Sequence, residues 1–322
     1  MPNEIYAVEE ERYCFWEEDL RAAAVSFLKG LDPEYFLFVA KQGLANIDDP
    51  KDRKRAGASM RLAFFQGSET LLLLLAAVVQ APRCPQAYLG QCKNDQLRRV
   101  IQAIDQRMPI PNFNFRLQEV SWRGLAMEVL RRSGFTSEQI LPTVEMLAQF
   151  WADIAANSCN EIAISEYNSL KHGFRVGHGG YELTFTVQPK DPAEPPQKIE
   201  LGNPSFGTSF SVIEPIGGVE KANRSRVAHQ HAVGWEIESV ALSLELLRVS
   251  IQNVVSYLIQ INGGQATFVV PKFDASKLTS PQVASQSFSI GPAVRGARAT
   301  TKEELADVEK SILARRAKPS SE

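Results

Sequence analysis

Few cysteines and no surplus of either charge mark this chain of 322 residues. Cys14, Cys84, Cys92 and Cys159 show neither C-x-x-C spacing nor the density of a stapled secreted domain, so reduced, mostly buried thiols are expected. The 35 Lys+Arg against 37 Asp+Glu leave a net charge of -2, which exerts no global pull towards nucleic acid or an anionic membrane. The N-terminus is acidic through Glu9, Glu10 and Glu11 and lacks the basic and apolar regions of a secretory signal, so a cytoplasmic chain is expected. The most apolar run, Leu71 to Val79, falls far short of the roughly 20 residues of a membrane span and reads as a core helix. No internal repeat sets up a solenoid or propeller. No G-x-S-x-G elbow, Walker sequence, H-E-x-x-H or dinucleotide fingerprint is present, which removes support for the commonest hydrolase, NTPase, zincin and dehydrogenase readings.

What is present is helical period. Apolar residues make up 44% of the chain and charged residues 22%, the balance of an ordinary globular protein. Phe15, Leu20, Ala24, Phe27 and Leu28 predict a helix from Glu10 to about Leu31. A short helix is expected from Pro33 to about Gln42, with Asp32 as N-cap and Gly43 as stop. The charged stretch Asp48 to Arg55 reads as a loop, and a long helix is expected over Ala56 to Gln80. Shorter helices follow near Asp95 to Arg107 and Leu117 to Arg132, then the longest pattern, Ser137 to His172. After Gly173 the texture changes. Tyr181 to Val187, Lys198 to Leu201 and Phe206 to Ile213 read as strands of a small antiparallel insertion, with a proline-rich connection between the first two. A last long helix, Ala232 to Ile261, ends at Gly263 and Gly264. Ala266 to Val270 reads as one further strand, followed by a poorly ordered tail with a charged helix near Lys302 to Ala314. The fold class is therefore mainly α, a helical bundle with a small antiparallel β insertion. Its divisions are 1–175 for the N-terminal and core helices, 176–218 for the insertion, 219–264 for the last bundle helix and 265–322 for the short strand and tail.

Chemistry concentrates where the longest helix ends, in EYNSLKHGFRV, Glu166 to Val176. Asn168, Lys171, His172 and, with another helical turn, Arg175 are spaced to share one face. The bland reading is that Lys171 and His172 complement the helix dipole before a glycine stop. The functional reading is that a polar cluster continuing a buried stripe is satisfied by partners or takes a ligand.

Asn168, His172, Gly173 and Phe174 resemble, position by position, the R-N-x-x-x-H motif with its following Gly and aromatic residue in the HEPN superfamily of helical-bundle proteins. The motif's arginine position is held by Tyr167. The resemblance covers Ala56 to Gly173 and extends to Ala232 to Ile261 as bundle helices, while its specific part is about eight residues long. It implies a HEPN-like bundle, RNA or a nucleotide as partner, a homodimer, and in the nuclease members metal-independent cleavage in which a cation stabilises phosphate charge and an imidazole moves a proton. Tyrosine cannot supply that charge. The leading expectation is therefore a nucleic-acid or protein binding or oligomerisation module with a degenerate nuclease site. The alternatives are an RNA endonuclease using His172 with Lys171 or Arg175, and an interaction protein with no site.

Arginine and histidine at the literal motif spacing also occur at Arg224 to His229, Arg226 to His231 and Arg224 to His231. About one such match is expected by chance in a chain of this composition, and the bland reading is a solvated basic loop from Asn223 to Gly234. Glu69 lies on the apolar stripe of Leu62, Phe65, Leu72 and Ala76, where a carboxylate needs a partner. Lys171, His172 and Arg175 are the expected candidates, against the bland reading of a water-exposed helix end. With Tyr167, these residues make the candidate binding set Glu69, Tyr167, Arg224, Arg226, His229 and His231. His229 and His231 lack acidic or cysteine partners at ligand spacing, so no metal is expected, and no cofactor or membrane contact either. The Gly177 to Gly180 run precedes a strand and reads as a turn, because a phosphate cradle follows a strand and opens a helix.

Overall fold

The computed structural model describes residues 4–172, 175–179, 183–187, 197–201, 206–216, 225–271, 287–289, 294–295, 306–307 and 309–313. The protein is mainly α-helical with small antiparallel β elements. It divides into two compact units, Met1–Ser209 with Ala232–Ser287, and Phe210–His231 with Phe288–Glu322.

The first unit opens with a hairpin, β1 (Glu4–Val8) and β2 (Glu11–Phe15), where the sequence predicts the start of a helix. Glu9 takes a positive φ of 59° at the two-residue turn, and buried Gln80 exchanges two hydrogen bonds with its backbone at 2.9 and 2.7 Å. Tyr6 and Tyr13 stack across the strands. A distant glutamine thus satisfies the turn, which no local period announces. Helix α1 (Leu20–Lys29) starts later than expected, at the Asp19 cap, whose carboxylate accepts from the Ala22 amide at 3.1 Å.

Helix α2 (Glu34–Ala45) runs through Gly43, the expected stop. A Cβ at Gly43 would lie 2.0 Å from the Met60 sulfur, so this glycine serves close helix packing rather than termination. Helix α3 (Arg53–Gln80) begins inside the stretch expected to be a loop. It packs against α9 (Ile237–Ile261) and α2 at the centre of the unit. At their crossing a Cβ on Gly67 would come within 2.9 Å of both Leu247 and Phe36, which explains a glycine in a helix interior despite a propensity cost of about 1 kcal/mol. Both α3 and α9 have the length and hydropathy of a membrane span, yet 72% and 78% of their most apolar windows are buried inside the fold. Leu71, Leu72 and Leu74 to Val79 are buried, as expected of a core helix.

Helix α4 (Pro85–Gln91) has no counterpart among the expected helices, whereas α5 (Asn94–Asp105) starts one residue before its expected region and α6 (Trp122–Leu130) falls within its own. The single long helix expected over Ser137 to His172 is two, α7 (Ser137–Cys159) and α8 (Glu161–Lys171). Asn160 leaves helical geometry, and its side chain accepts from the Ile162 and Ala163 amides at 3.0 and 3.1 Å, capping the start of a new helix. Trp151 on α7 is fully buried and donates its indole N–H to Ser250 on α9 at 3.0 Å.

The expected insertion is present as β3 (Gly177–His178), β4 (Leu183–Val187), β5 (Gln197–Leu201) and β6 (Gly207–Ile216). β4 pairs antiparallel with β5, and β3 with the first residues of β6. Residues 225–234, expected to be a basic loop running into the last helix, form strand β7 (Ser225–Gly234), and α9 starts only at Ile237. Ala266 to Val270 is not a strand. Its backbone is instead hydrogen-bonded by Gln252, Asn253 and Ser256 of α9, so side-chain amides and a hydroxyl take the place of a neighbouring strand.

The second unit contains most of β6 and β7, with β9 (Val294–Arg295) antiparallel to β7. β8 (Ser287–Ser289) lies at its boundary. Residues 306–307 and 309–313 are helical, inside the stretch where a charged tail helix is expected; much of the remaining tail lies outside the described residues.

Candidate functional site

Helix α8 presents chemistry on adjacent positions of its last turns. Glu166, fully buried, meets Arg61 of α3 in a two-pronged ion pair, Arg61 Nε to Oε1 at 3.0 Å and Nη2 to Oε2 at 2.8 Å. Thr208, at the start of β6, donates its hydroxyl to the same Oε1 at 2.7 Å. The guanidinium lies over the Phe65 ring at 4.6 Å from its centre, with Phe64 and Trp235 at 5.4 and 6.0 Å. Three hydrogen bonds and an aromatic enclosure offset part of the cost of removing both charges from water, while Arg61 Nη1 is buried without a hydrogen-bond partner among the described residues. Neither Arg61 nor Glu166 stands out in the sequence, because each lies beside an apolar stripe and the pair is separated by 105 residues.

The next residue, Tyr167, points elsewhere. Its hydroxyl donates to Glu69 Oε2 at 2.6 Å, and its ring stacks on Phe65 at 5.1 Å. Lys171 Nζ lies 3.6 Å from the same Glu69 oxygen and 5.1 Å from the centre of the Tyr167 ring. Of the three partners expected for Glu69, Lys171 is the one in place. The carboxylate is half-buried rather than sealed, so this pair is a partly screened surface contact. Burial, then the hydrogen bond to Glu69 and its charge, push the Tyr167 phenol above its ordinary value of 10.0. Tyr167 therefore remains a neutral donor at physiological pH. Its folded-state pKa lies above the unfolded one, so the associated stability is complete below about pH 10 and fades as pH rises beyond it. Replacing it, Tyr167→Phe, is expected to cost about 1 kcal/mol at neutral pH and to flatten the alkaline loss of stability, as read from thermal melts between pH 8 and about 11.

His172 terminates α8 as its C-cap and is exposed, with its amide donating to the Asn168 carbonyl at 3.1 Å. Arg175 is also exposed, and its amide reaches the Ser169 carbonyl at 2.9 Å. The helix ends at Lys171, so the extra turn that would place Arg175 on the shared face is not made. Gly173, Phe174 and Arg224 lie outside the described residues. Arg226, His229 and His231 lie on β7 in the second unit, on a strand rather than the loop expected there. The His231 ring stacks on Phe210 at 5.8 Å within that unit.

Beside Tyr167 a small cavity of about 60 Å³ opens between α3, α5, α7 and α8. Phe65, Leu72, Leu97 and Ile101 supply its apolar lining, with Glu69, Arg98 and Asn168 among its polar residues. At roughly 10 to 15 Å³ for each water, it has room for on the order of four waters or one small side chain. Among the described residues no group of three or more His, Cys, Asp or Glu could hold a metal ion, and all four cysteines are free. Burial pushes the Cys84 thiol up to about 12, which makes it an inert packing group.

Comparison with family models, curated proteins and solved structures finds no match to this chain. The class defined by fold and site is thus a mainly α protein carrying a sealed Arg–Glu pair and, next to it, an open pocket with a polar rim.

Proposed function

We propose that this chain is a HEPN-like binding or oligomerisation module whose α8 terminus is a degenerate nuclease site. One observation carries the reading. Where the resembled motif has a cation, Tyr167 is a neutral phenol bound to Glu69, and the neighbouring Lys171 is paired with that same carboxylate. A guanidinium there would stabilise phosphate charge as a bond breaks, whereas a phenol and a carboxylate would not. The apolar lining and mixed rim of the adjacent pocket suit a small apolar side chain of a protein partner, including a second copy of the chain, better than a polyanion.

A second reading, metal-independent RNA cleavage, is favoured by the exposure of both His172 and Arg175. The test is incubation of purified protein with RNA without added metal, comparing wild type, His172→Ala and Lys171→Ala, each with a thermal melt and a solution mass by light scattering. No cleavage by wild type and unchanged melts in His172→Ala are expected, because the imidazole is at the surface. Cleavage abolished in a folded His172→Ala would replace the binding-module reading with the nuclease reading. A substitution that fills the small pocket, Ala163→Val, is expected to weaken self-association or partner binding without altering the response to RNA.

A further inference from the structure

On another part of the first unit the 106–121 connection between α5 and α6 is held in one shape by buried hydrogen bonds. Asn114 donates its side-chain N–H to the Tyr257 hydroxyl at 2.9 Å, and Tyr257 donates in turn to buried Glu128 at 3.0 Å. The Phe113 and Asn114 amides both reach the Val79 carbonyl, at 2.9 and 3.2 Å, and Gln80 reaches the Pro111 carbonyl at 3.3 Å. Burial keeps the Tyr257 phenol above its ordinary value of 10.0, so the chain of donors is intact at neutral pH. Long connections without regular structure are uncommon in compact domains, and rigid ones often carry binding residues.

Phe115 of this loop, 92% exposed, lines an open groove of about 640 Å³, within the range of small-molecule sites. Arg116 stands beside it, exposed and without an ion pair among the described residues. Arg83 lines the same groove with its side chain 60% exposed, and its contact with Glu4 is a loose 3.5 Å. Ile5, Pro82 and Ile261 add apolar wall. One exposed aromatic is ordinary, but an aromatic on a loop anchored by buried hydrogen bonds, lining one groove with two solvent-facing arginines and the Glu4 carboxylate, is a preformed recognition geometry. The geometry points to a binding site for a small anionic aromatic molecule, its ring against Phe115 and its anion between Arg83 and Arg116. The Arg83–Glu4 contact is weak enough for a ligand anion to displace it. This site is independent of the α8 terminus and does not rest on the function proposed for it.

The probe is anilinonaphthalene sulfonate, titrated by fluorescence and by calorimetry against wild type, Phe115→Ala, Arg83→Gln and Arg116→Gln. These side chains are exposed, so all variants are expected to melt with the wild type. Wild type is expected to bind one probe per chain, and each substitution to weaken binding about tenfold, with added salt mimicking the arginine changes. The uncharged analogue phenylnaphthylamine is expected to lose affinity in Phe115→Ala alone. Displacement of the probe by phenyl phosphate or by benzoate tells phosphate from carboxylate recognition, both within the proposed class. No saturable binding by wild type, or equal affinity in all three variants, would overturn the assignment.

Discussion

Glu166→Ala is expected to lower stability by about 3 to 5 kcal/mol, the range found when one partner of a buried ion pair is removed. At roughly 2 to 4 °C for each kcal/mol in a domain of this size class, the melting temperature should fall by about 6 to 20 °C. The loss arises less from the missing attraction than from Arg61, which would remain charged, 1% exposed and deprived of both acceptors. Thr208 would lose its acceptor as well. The double variant Arg61→Met with Glu166→Leu should recover most of the loss, because it removes both charges and keeps apolar volume beside Phe64 and Phe65. A thermal and urea denaturation series over the two single variants and the double tests this. Additive losses would show that the two residues are not coupled as their geometry requires.

Trp151→Ala should cost a similar amount, about 3 to 5 kcal/mol, for a different reason. The indole is fully buried between α7 and α9, so its removal leaves a large void in a core that relaxes only in part. Ser250 would also lose the donor that its hydroxyl accepts at 3.0 Å. Trp151→Phe, which retains most of the ring volume, should lose substantially less. Urea titration followed by far-ultraviolet circular dichroism gives both values, and equal losses in the two variants would mean that the hydrogen bond, not the volume, dominates.

Together these variants separate the scaffold from its candidate sites. The ion pair and Trp151 hold the helices, and their loss should appear in every melt. Phe115, Arg83 and Arg116 are exposed, and their substitution should appear mainly in binding. Phe65 joins the two classes, since its ring carries both the Arg61 guanidinium and the stacked Tyr167.

Much of the fold can be read from short-range pattern. The apolar run at Leu71 to Val79 becomes the buried core of α3, and the α9 stripe ends at Asn262 and Gly263, whose φ of 86° suits only glycine without strain. Glu69 is legible as well, because a carboxylate on an apolar stripe needs a partner, and Lys171 is one of the three residues expected for that role. The β1–β2 hairpin is not legible, since its turn is satisfied by Gln80, 71 residues away. Nor is the break at Asn160, where the apolar period continues through a residue whose side chain caps a new helix.

By itself, then, the sequence determined the helical class, the two long core helices, the β insertion after α8 and the polar character of the α8 terminus. These follow from periodicity, capping and breaker residues, which act over a few positions of chain. Tertiary structure alone decided that Arg61 meets Glu166, that Tyr167 and Lys171 share Glu69, and that Arg83 and Phe115 line one groove. Those pairings join residues tens to more than a hundred positions apart. They depend on how packed faces close distant loops, and local propensity carries no record of that closure.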